Sequence, residues 1–245
     1  MYYNLINQCN NLSIECDERL IKIFKRTYKK NIFFKYGYFS STKKNIKRFD
    51  KVIYAGSLTK YFRKNKSDFT KKSFLKSNIN VDNIICEKLN KFNKTKKIGL
   101  SWKSVVNIYG GLKSLDLKNF EKIFNNDRTI INLQYGDVNK EINDLNSYGY
   151  KIYNFNEIDL FNDFDSVISI LKNIDIFVTV SNSTAHFAGA LGVPTILICP
   201  KKSSTYYYWD YENGKTPWYE SVSIIKLESS IGKTIDLVNK MIDKI

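Results

Sequence analysis

The stretch Leu171–Pro200, LKNIDIFVTVSNSTAHFAGALGVPTILICP, constrains the fold more than any other part of the chain. It reads as the end of an amphipathic helix, then a strand Ile174–Val180 that is apolar apart from Asp175 and Thr179, then a polar turn Ser181-Asn182-Ser183-Thr184. A helix of small residues follows, with His186, Phe187, Ala188, Gly189 and Ala190, and Pro194–Cys199 reads as a second buried strand. A strand so rich in Val, Ile and Phe has both faces covered, as in the parallel sheets of α/β domains. Ligands of such domains bind beyond the carboxyl ends of the strands, which is where Ser181 to His186 fall. A helix beginning near Ser183 turns its first N–H groups and positive dipole end outward, beside the hydroxyls of Ser181, Ser183 and Thr184, and suits a phosphate or pyrophosphate. From residue types alone a second reading stays open, in which Ser183 or Thr184 is simply an N-cap and His186 a packed surface residue. His186 is the only histidine among 245 residues.

The remainder of the second half repeats the same alternation. Ile98–Trp102 is expected as a strand ending at Lys103, Leu115–Phe124 as a helix, and Thr129–Leu133 as a strand ending at Gln134-Tyr135-Gly136-Asp137. A helix Val138–Leu145, a strand Lys151–Phe155 and a helix Asp163–Asn173 lead into the central unit, and a strand Ser221–Leu227 and a helix Ser230–Ile245 close the chain. Strands separated by helices of about ten residues imply a parallel sheet built by right-handed crossovers. Upstream, NLSIEC (11–16) reads as a strand, Asp17 as the cap of a helix Glu18–Arg26, and Asn31–Phe34 and Lys51–Tyr54 as two short strands flanking a basic loop Gly37–Asp50. Ser57 caps a short helix Leu58–Arg63, and a helix Val81–Phe92 precedes a polar linker Asn93–Lys97. The expected fold class is therefore α/β, a Rossmann-like parallel sheet over 93–245 preceded by a partial α/β N-terminal domain over 1–92.

Composition narrows the classes. No apolar run reaches the ~20 residues needed to cross a bilayer, so no transmembrane segment is expected. The start MYYNLINQCNN lacks the order of a signal peptide, and a cytoplasmic location is expected. Cys9, Cys16, Cys86 and Cys199 are scattered, with no CxxC pair, so neither a zinc site nor a disulfide framework is indicated. The formal charge is +15. Its lysines are spread through a chain also rich in Asn and Ile, which reads as a residue-usage bias, and the densest stretch, Lys43–Lys66, reads as a solvated surface. No nucleic-acid module accompanies the charge, and no nucleic-acid partner is expected.

At the strand ends, Lys103 and Lys113 are candidate cations for phosphates, each a point charge. The segment IYGGL (108–112) places two glycines in a loop where a backbone can approach a ligand. Neither GxGxxG nor a P-loop is present. Glu141, Asp159, Asp163 and Asp165 are candidates for ribose hydroxyls or, as with Asp163, for helix caps. No Ser/His/Asp arrangement and no catalytic carboxylate pair is marked by spacing.

IGLSWK (98–103), the lysine of LKSLDL (112–117), INLQYGD (131–137), the string 162–195 ending STAHFAGALGVPT, and TPWYESV (216–222) together resemble the C-terminal half of a GT-B glycosyltransferase. The group is the heptosyltransferase-like one (glycosyltransferase family 9-like), in the variant often fused to tetratricopeptide repeats. IECDERLIKIFKRTY (14–28) is similar to part of its acceptor domain. The resemblance implies metal-independent transfer of a sugar from a nucleotide-sugar donor to a glycan, lipid or protein acceptor, with no cofactor. By position it implies that Lys113 meets the donor phosphates, that Ser181, Asn182, Ser183, Thr184 and His186 line the diphosphate and sugar, and that Glu141 holds the ribose; Lys103, Gln134 and Tyr135 join the expected donor site because the strand ends that carry them converge on the same edge. Two departures accompany it. Many relatives carry Asp at the position of Ser181, and the chain is expected to begin around the middle of the amino-terminal domain, near whose start relatives hold their acid/base carboxylate. The general base is therefore unassigned. The alternatives are a partner chain supplying the missing elements, or a catalytically incomplete relative that binds a nucleotide or protein without turnover.

Overall fold

The structure, a computed structural model, describes the chain apart from residues 71, 105–109, 200–207, 210–213 and 228–229. It divides into two compact units, Met1–Thr70 and Lys71–Ile245. The first contains α1 (Tyr2–Gln8), β1 (Ile14–Cys16), α2 (Glu18–Tyr28), β2 (Phe33–Lys35), α3 (Lys43–Ile46) and α4 (Thr59–Phe62). β1 and β2 pair in parallel. Asp17 caps α2 as expected, its carboxylate accepting from the Arg19 N–H at 3.0 Å. The small core is Ile14, Cys16 and Phe33, with the rings of Tyr2, Phe24 and Tyr28 packed around Phe33. Helix α1 has no buried residue of its own and so carries little hydrophobic signal in the sequence. The strand expected at Lys51–Tyr54 does not form. Val52 and Tyr54 are 61% and 83% exposed, so no second layer rewards an extended pairing there. Nor does Ser57 cap a helix, because it lies inside a 3-10 turn, Ala55–Leu58, that runs into α4.

One carboxylate organises the loop after β2. Glu15 accepts from the Ser40 hydroxyl at 2.6 Å, from the Ser40 and Gly37 N–H groups at 3.0 and 3.3 Å, and from the Phe39 N–H. Desolvation works against its charge, but these donors outweigh that cost and hold its carboxyl below the ordinary value.

The second unit contains α5 (Ile79–Leu89), β3 (Lys96–Ser101), α6 (Gly110–Lys113), β4 (Arg128–Asn132), α7 (Asn139–Ser147), β5 (Ile152–Tyr153), α8 (Phe164–Lys172), β6 (Ile176–Val180), α9 (Ser183–Leu191), β7 (Thr195–Cys199), β8 (Val222–Lys226) and α10 (Ile231–Ile242). Its six strands run in the order β5-β4-β3-β6-β7-β8, and every pairing is parallel. This is the expected Rossmann-like sheet. The chain grows outward from β3 to β5, then returns to lay β6 on the other side of β3, so the order reverses between β3 and β6. All five residues of β6 are buried. Successive residues serve opposite layers, Ile176 and Val178 packing with α10 on one face and Phe177 with α5 and α8 on the other. Gly99 is forced by this crowding, since a Cβ there would lie 2.6 Å from Ile174 Cδ1 and 2.7 Å from Leu133 Cδ1.

Two expectations shift. The boundary expected at residues 92 and 93 falls inside the second unit, because Ile85 and Leu89 of α5 enter the core beside Val167, Ile170 and Leu171 of α8. The helix expected over Leu115–Phe124 is a 3-10 helix, Leu117–Ile123. Its buried residues are Leu117, Phe120 and Ile123, a spacing of three that matches the 3-10 period.

Asp82 on α5 is the main polar tie between α5 and α8. Only 5% exposed, it accepts from Ser77 Oγ at 2.6 Å, Ser169 Oγ at 2.7 Å and Lys172 Nζ at 2.7 Å. Desolvation opposes its charge, but the bonds from Lys172, Ser77 and Ser169 prevail and hold its carboxyl below the usual value. A lowered folded pKa contributes stability above the unfolded value of roughly 4 and loses it as pH falls through the folded one. Asp82→Ala should therefore cost about 2 kcal/mol in urea unfolding at pH 7 and show a shallower loss of stability below pH ~4 than the parent chain.

Candidate functional site

The carboxyl ends of β3 and β6 meet at the point where strand order reverses, and one side chain spans them. Asn182, in an extended conformation, is the N-cap of α9: its Oδ1 accepts from the Ala185 N–H at 3.1 Å. Its Nδ2 donates to Ser101 Oγ at the end of β3, 2.9 Å, and to Thr179 Oγ1 on β6, 3.2 Å. The cap is thus Asn182, and the hydroxyls of Ser183 and Thr184 are released from that duty. Neither makes a hydrogen bond among the described residues; Ser183 is exposed and Thr184 buried. The N–H groups of these two residues belong to the first turn of a helix and have no intrahelical acceptor.

Gln134 forms the neighbouring part of the floor. Buried after β4, its Oε1 accepts from Ser101 Oγ at 3.0 Å, the Trp102 N–H at 2.9 Å and the Lys103 N–H at 2.7 Å, and its Nε2 donates to the Tyr135 carbonyl at 2.9 Å. The amide oxygen thereby ties β3 to β4 and is saturated. Glu141, in the first turn of α7, accepts from Trp102 Nε1 at 2.9 Å and from Lys103 Nζ at 2.5 Å. Lys103 and Glu141 are therefore brought together as a half-exposed ion pair. Tyr135 is buried, its ring 5.8 Å from that of Phe161. Lys113 is buried at the end of α6, whose first residues are the Gly110-Gly111 pair expected in a loop; Ile108 and Tyr109 of that segment lie outside the described residues. Asp163 caps α8, accepting from the Ser166 N–H at 3.1 Å, and Asp159 accepts from the Phe161 and Asn162 N–H groups. Both carboxylates are taken by local backbone.

Around His186 an aromatic cluster closes in that the sequence reading missed. The imidazole stacks on Trp209 with centroids 4.6 Å apart and planes 24° apart, and its Nδ1 lies 3.2 Å from the Tyr219 hydroxyl. Trp209 is fully buried and donates its indole N–H to Ser181 Oγ at 3.0 Å. Burial pushes the imidazolium down to about 4, so His186 is neutral at pH 7, and it pushes the Tyr219 phenol up. The one available signal was Gly189. A Cβ at that position would fall 2.4 Å from the Tyr219 ring, so the helix lacks a side chain where the ring rests.

The strand-end edge thus gathers Lys103, Gln134, Glu141 and Asn182 in one hydrogen-bonded set, and Ser181 and His186 in another beneath Trp209. A cavity of about 460 Å³ opens elsewhere, lined by Leu75, Ser77, Lys172, Ile174, Leu191 and Pro194 at the amino-end side of β6 and β7. Among the described residues no group of three His, Cys, Asp or Glu side chains converges as metal ligands would. Gly189→Ala should displace Tyr219 and destabilise the chain by about 1–3 kcal/mol in thermal or urea unfolding, with a red-shifted tryptophan emission as Trp209 loses its packing; Gly111→Ala, which meets nothing within 4 Å, should leave the emission unchanged.

No protein-family model matches the chain. Protein FlbA of Caulobacter vibrioides is 28% identical to it over an alignment of 224 residues that covers 86% of this chain and 37% of FlbA. Among solved structures, the E. coli ADP-heptose LPS heptosyltransferase II is similar at 12% identity and a TM-score of 0.48, over 75% of this chain and 58% of that one. The family 9 glycosyl transferase of Veillonella parvula is similar at 10% identity and a TM-score of 0.46, over 68% and 46%. The chain therefore spans a little over a third of the curated relative it matches and about half of these two structures.

Proposed function

We propose that the second unit binds a nucleotide-sugar and that the chain takes part in glycosyl transfer from it, without a metal, to a glycan, lipid or protein acceptor. One observation carries the reading: at the reversal point of a parallel sheet, the first turn of α9 presents two N–H groups and the two unbonded hydroxyls of Ser183 and Thr184. A diphosphate placed there gains the positive end of the helix dipole and up to four donors. As the donor's glycosidic bond breaks, negative charge grows on the leaving diphosphate, and fixed donors at that position stabilise it without reorganising. Lys103 supplies a cation beside this turn and is oriented by Glu141. Lys113 supplies a second. His186 stays uncharged and serves as a hydrogen-bonding group held by Tyr219.

The second reading, a relative that binds the nucleotide without turnover, is favoured by one feature: Glu141, the carboxylate tied to the strand-end floor, is already bonded to Trp102 and Lys103 and is not free to act as a base. A thermal-shift panel of nucleoside diphosphates and their sugars, paired with assays of donor hydrolysis and transfer, separates the two. Saturating ligand at a hundredfold excess over Kd should stabilise the chain by about 2.7 kcal/mol. Ser183→Ala with Thr184→Val should weaken that ligand about tenfold while leaving the unliganded Tm unchanged, and the affinity should show no imidazole titration between pH 6 and 8. Silence across the whole panel defeats the proposal, and stabilisation without product selects the second reading.

A further inference from the structure

The positive charge is not evenly divided. Residues 1–70 hold 16 of the 39 basic and 5 of the 24 acidic residues, so the first unit carries +11 of the formal +15. From Lys35 to Lys66 there are ten basic residues and one acid, Asp50. Within that stretch Lys43, Lys44, Lys47, Arg48 and Lys51 are all exposed, and none forms an ion pair among the described residues. Aromatic side chains stand out among them: Tyr54 is 83% exposed, Tyr36 76% and Tyr61 53%, with Val52 at 61%.

The segment is held in shape. Glu15 grips the backbone of Gly37, Phe39 and Ser40, the Phe39 ring packs on Tyr38 and Phe49 at 4.7 and 5.0 Å, and Lys51 Nζ sits 5.2 Å above the Tyr61 ring. A segment held in shape and bearing exposed lysines and tyrosines suits a plane of negative headgroups, to which each lysine is drawn electrostatically while tyrosine rings settle at the boundary between headgroup and hydrocarbon. Nucleic acid fits it less well. The cations are mostly lysine, which is a point charge without the planar fork of arginine; α3, the helix among them, has four residues and is too short to read a groove; and an exposed valine gains nothing from a phosphate backbone. We propose that the surface built on residues 36–61 docks the chain peripherally on an anionic phospholipid bilayer. This is independent of the nucleotide-sugar site.

The test is co-flotation of the full chain with vesicles of phosphatidylcholine alone or containing ~30% phosphatidylglycerol, in parallel with binding to a random-sequence DNA duplex. Binding to the anionic vesicles should be at least about tenfold tighter than to neutral ones and should weaken with salt. Lys43→Glu with Lys44→Glu and Lys47→Glu should abolish the difference. Tyr36→Ser with Tyr54→Ser should weaken binding several-fold and leave the salt dependence intact, with circular dichroism confirming that both variants fold. Equal binding to both vesicles, no binding to either, or an unaffected tyrosine variant overturns the proposal. So does a duplex that binds more tightly than the anionic vesicles.

Discussion

The side chain of Asn182 is where the sheet, the helix and the candidate site become one object. Its oxygen caps α9 and its nitrogen reaches across to β3 and back to β6, so the start of the helix is fixed relative to both central strands by groups that are themselves buried. In a low-dielectric interior such bonds are strong, and leaving one partner unpaired is costly, which makes the arrangement specific as well as stable. Gln134 extends the same logic one strand further. A rigid floor leaves the next two hydroxyls of the chain with nothing to do inside the protein.

The aromatic cluster changes what a lone histidine beside this floor can contribute. With Trp209 against its face and the Tyr219 hydroxyl at Nδ1, the ring is desolvated and uncharged at pH 7, so it adds no positive charge to the strand-end edge where Lys103 stands. Ser181 is likewise occupied, receiving the Trp209 indole N–H. The hydroxyl is a neutral acceptor, and the indole beside it is the matching neutral donor.

Much of this was legible in the primary structure because it is periodic. The unbroken apolar run of β6, the stripe of α10 and the Asp17 and Asp163 caps each announce themselves through spacing or through a capping residue at the right offset. What escaped was set by tertiary contact. The cap of α9 falls on Asn182, whose amide accepts from the helix and donates to both Ser101 and Thr179, two donor bonds that one hydroxyl cannot supply, and no local rule distinguishes it from Ser183 or Thr184. Trp209 and Tyr219 are 23 and 33 residues downstream of His186, and only the folded chain brings them to it. Lys51–Tyr54 had the composition of a strand and lacked a neighbour to bury it. The concentration of charge in residues 1–70 becomes meaningful only once that stretch is known to fold as a unit.

Helix α9 is anchored at its far end too. The Ala190 carbonyl receives the N–H groups of both Phe74 and Leu75, at 2.9 and 3.0 Å, and Gly192, in the left-handed conformation, ends the helix with its Cα turned toward Ser73. Nine residues span about 13 Å. The helix therefore works as a strut, loaded at one tip by whatever occupies its first turn and resting at the other on residues 73–75. A ligand at the first turn would therefore bear on the same helix whose other end holds residues 73–75 by their backbone.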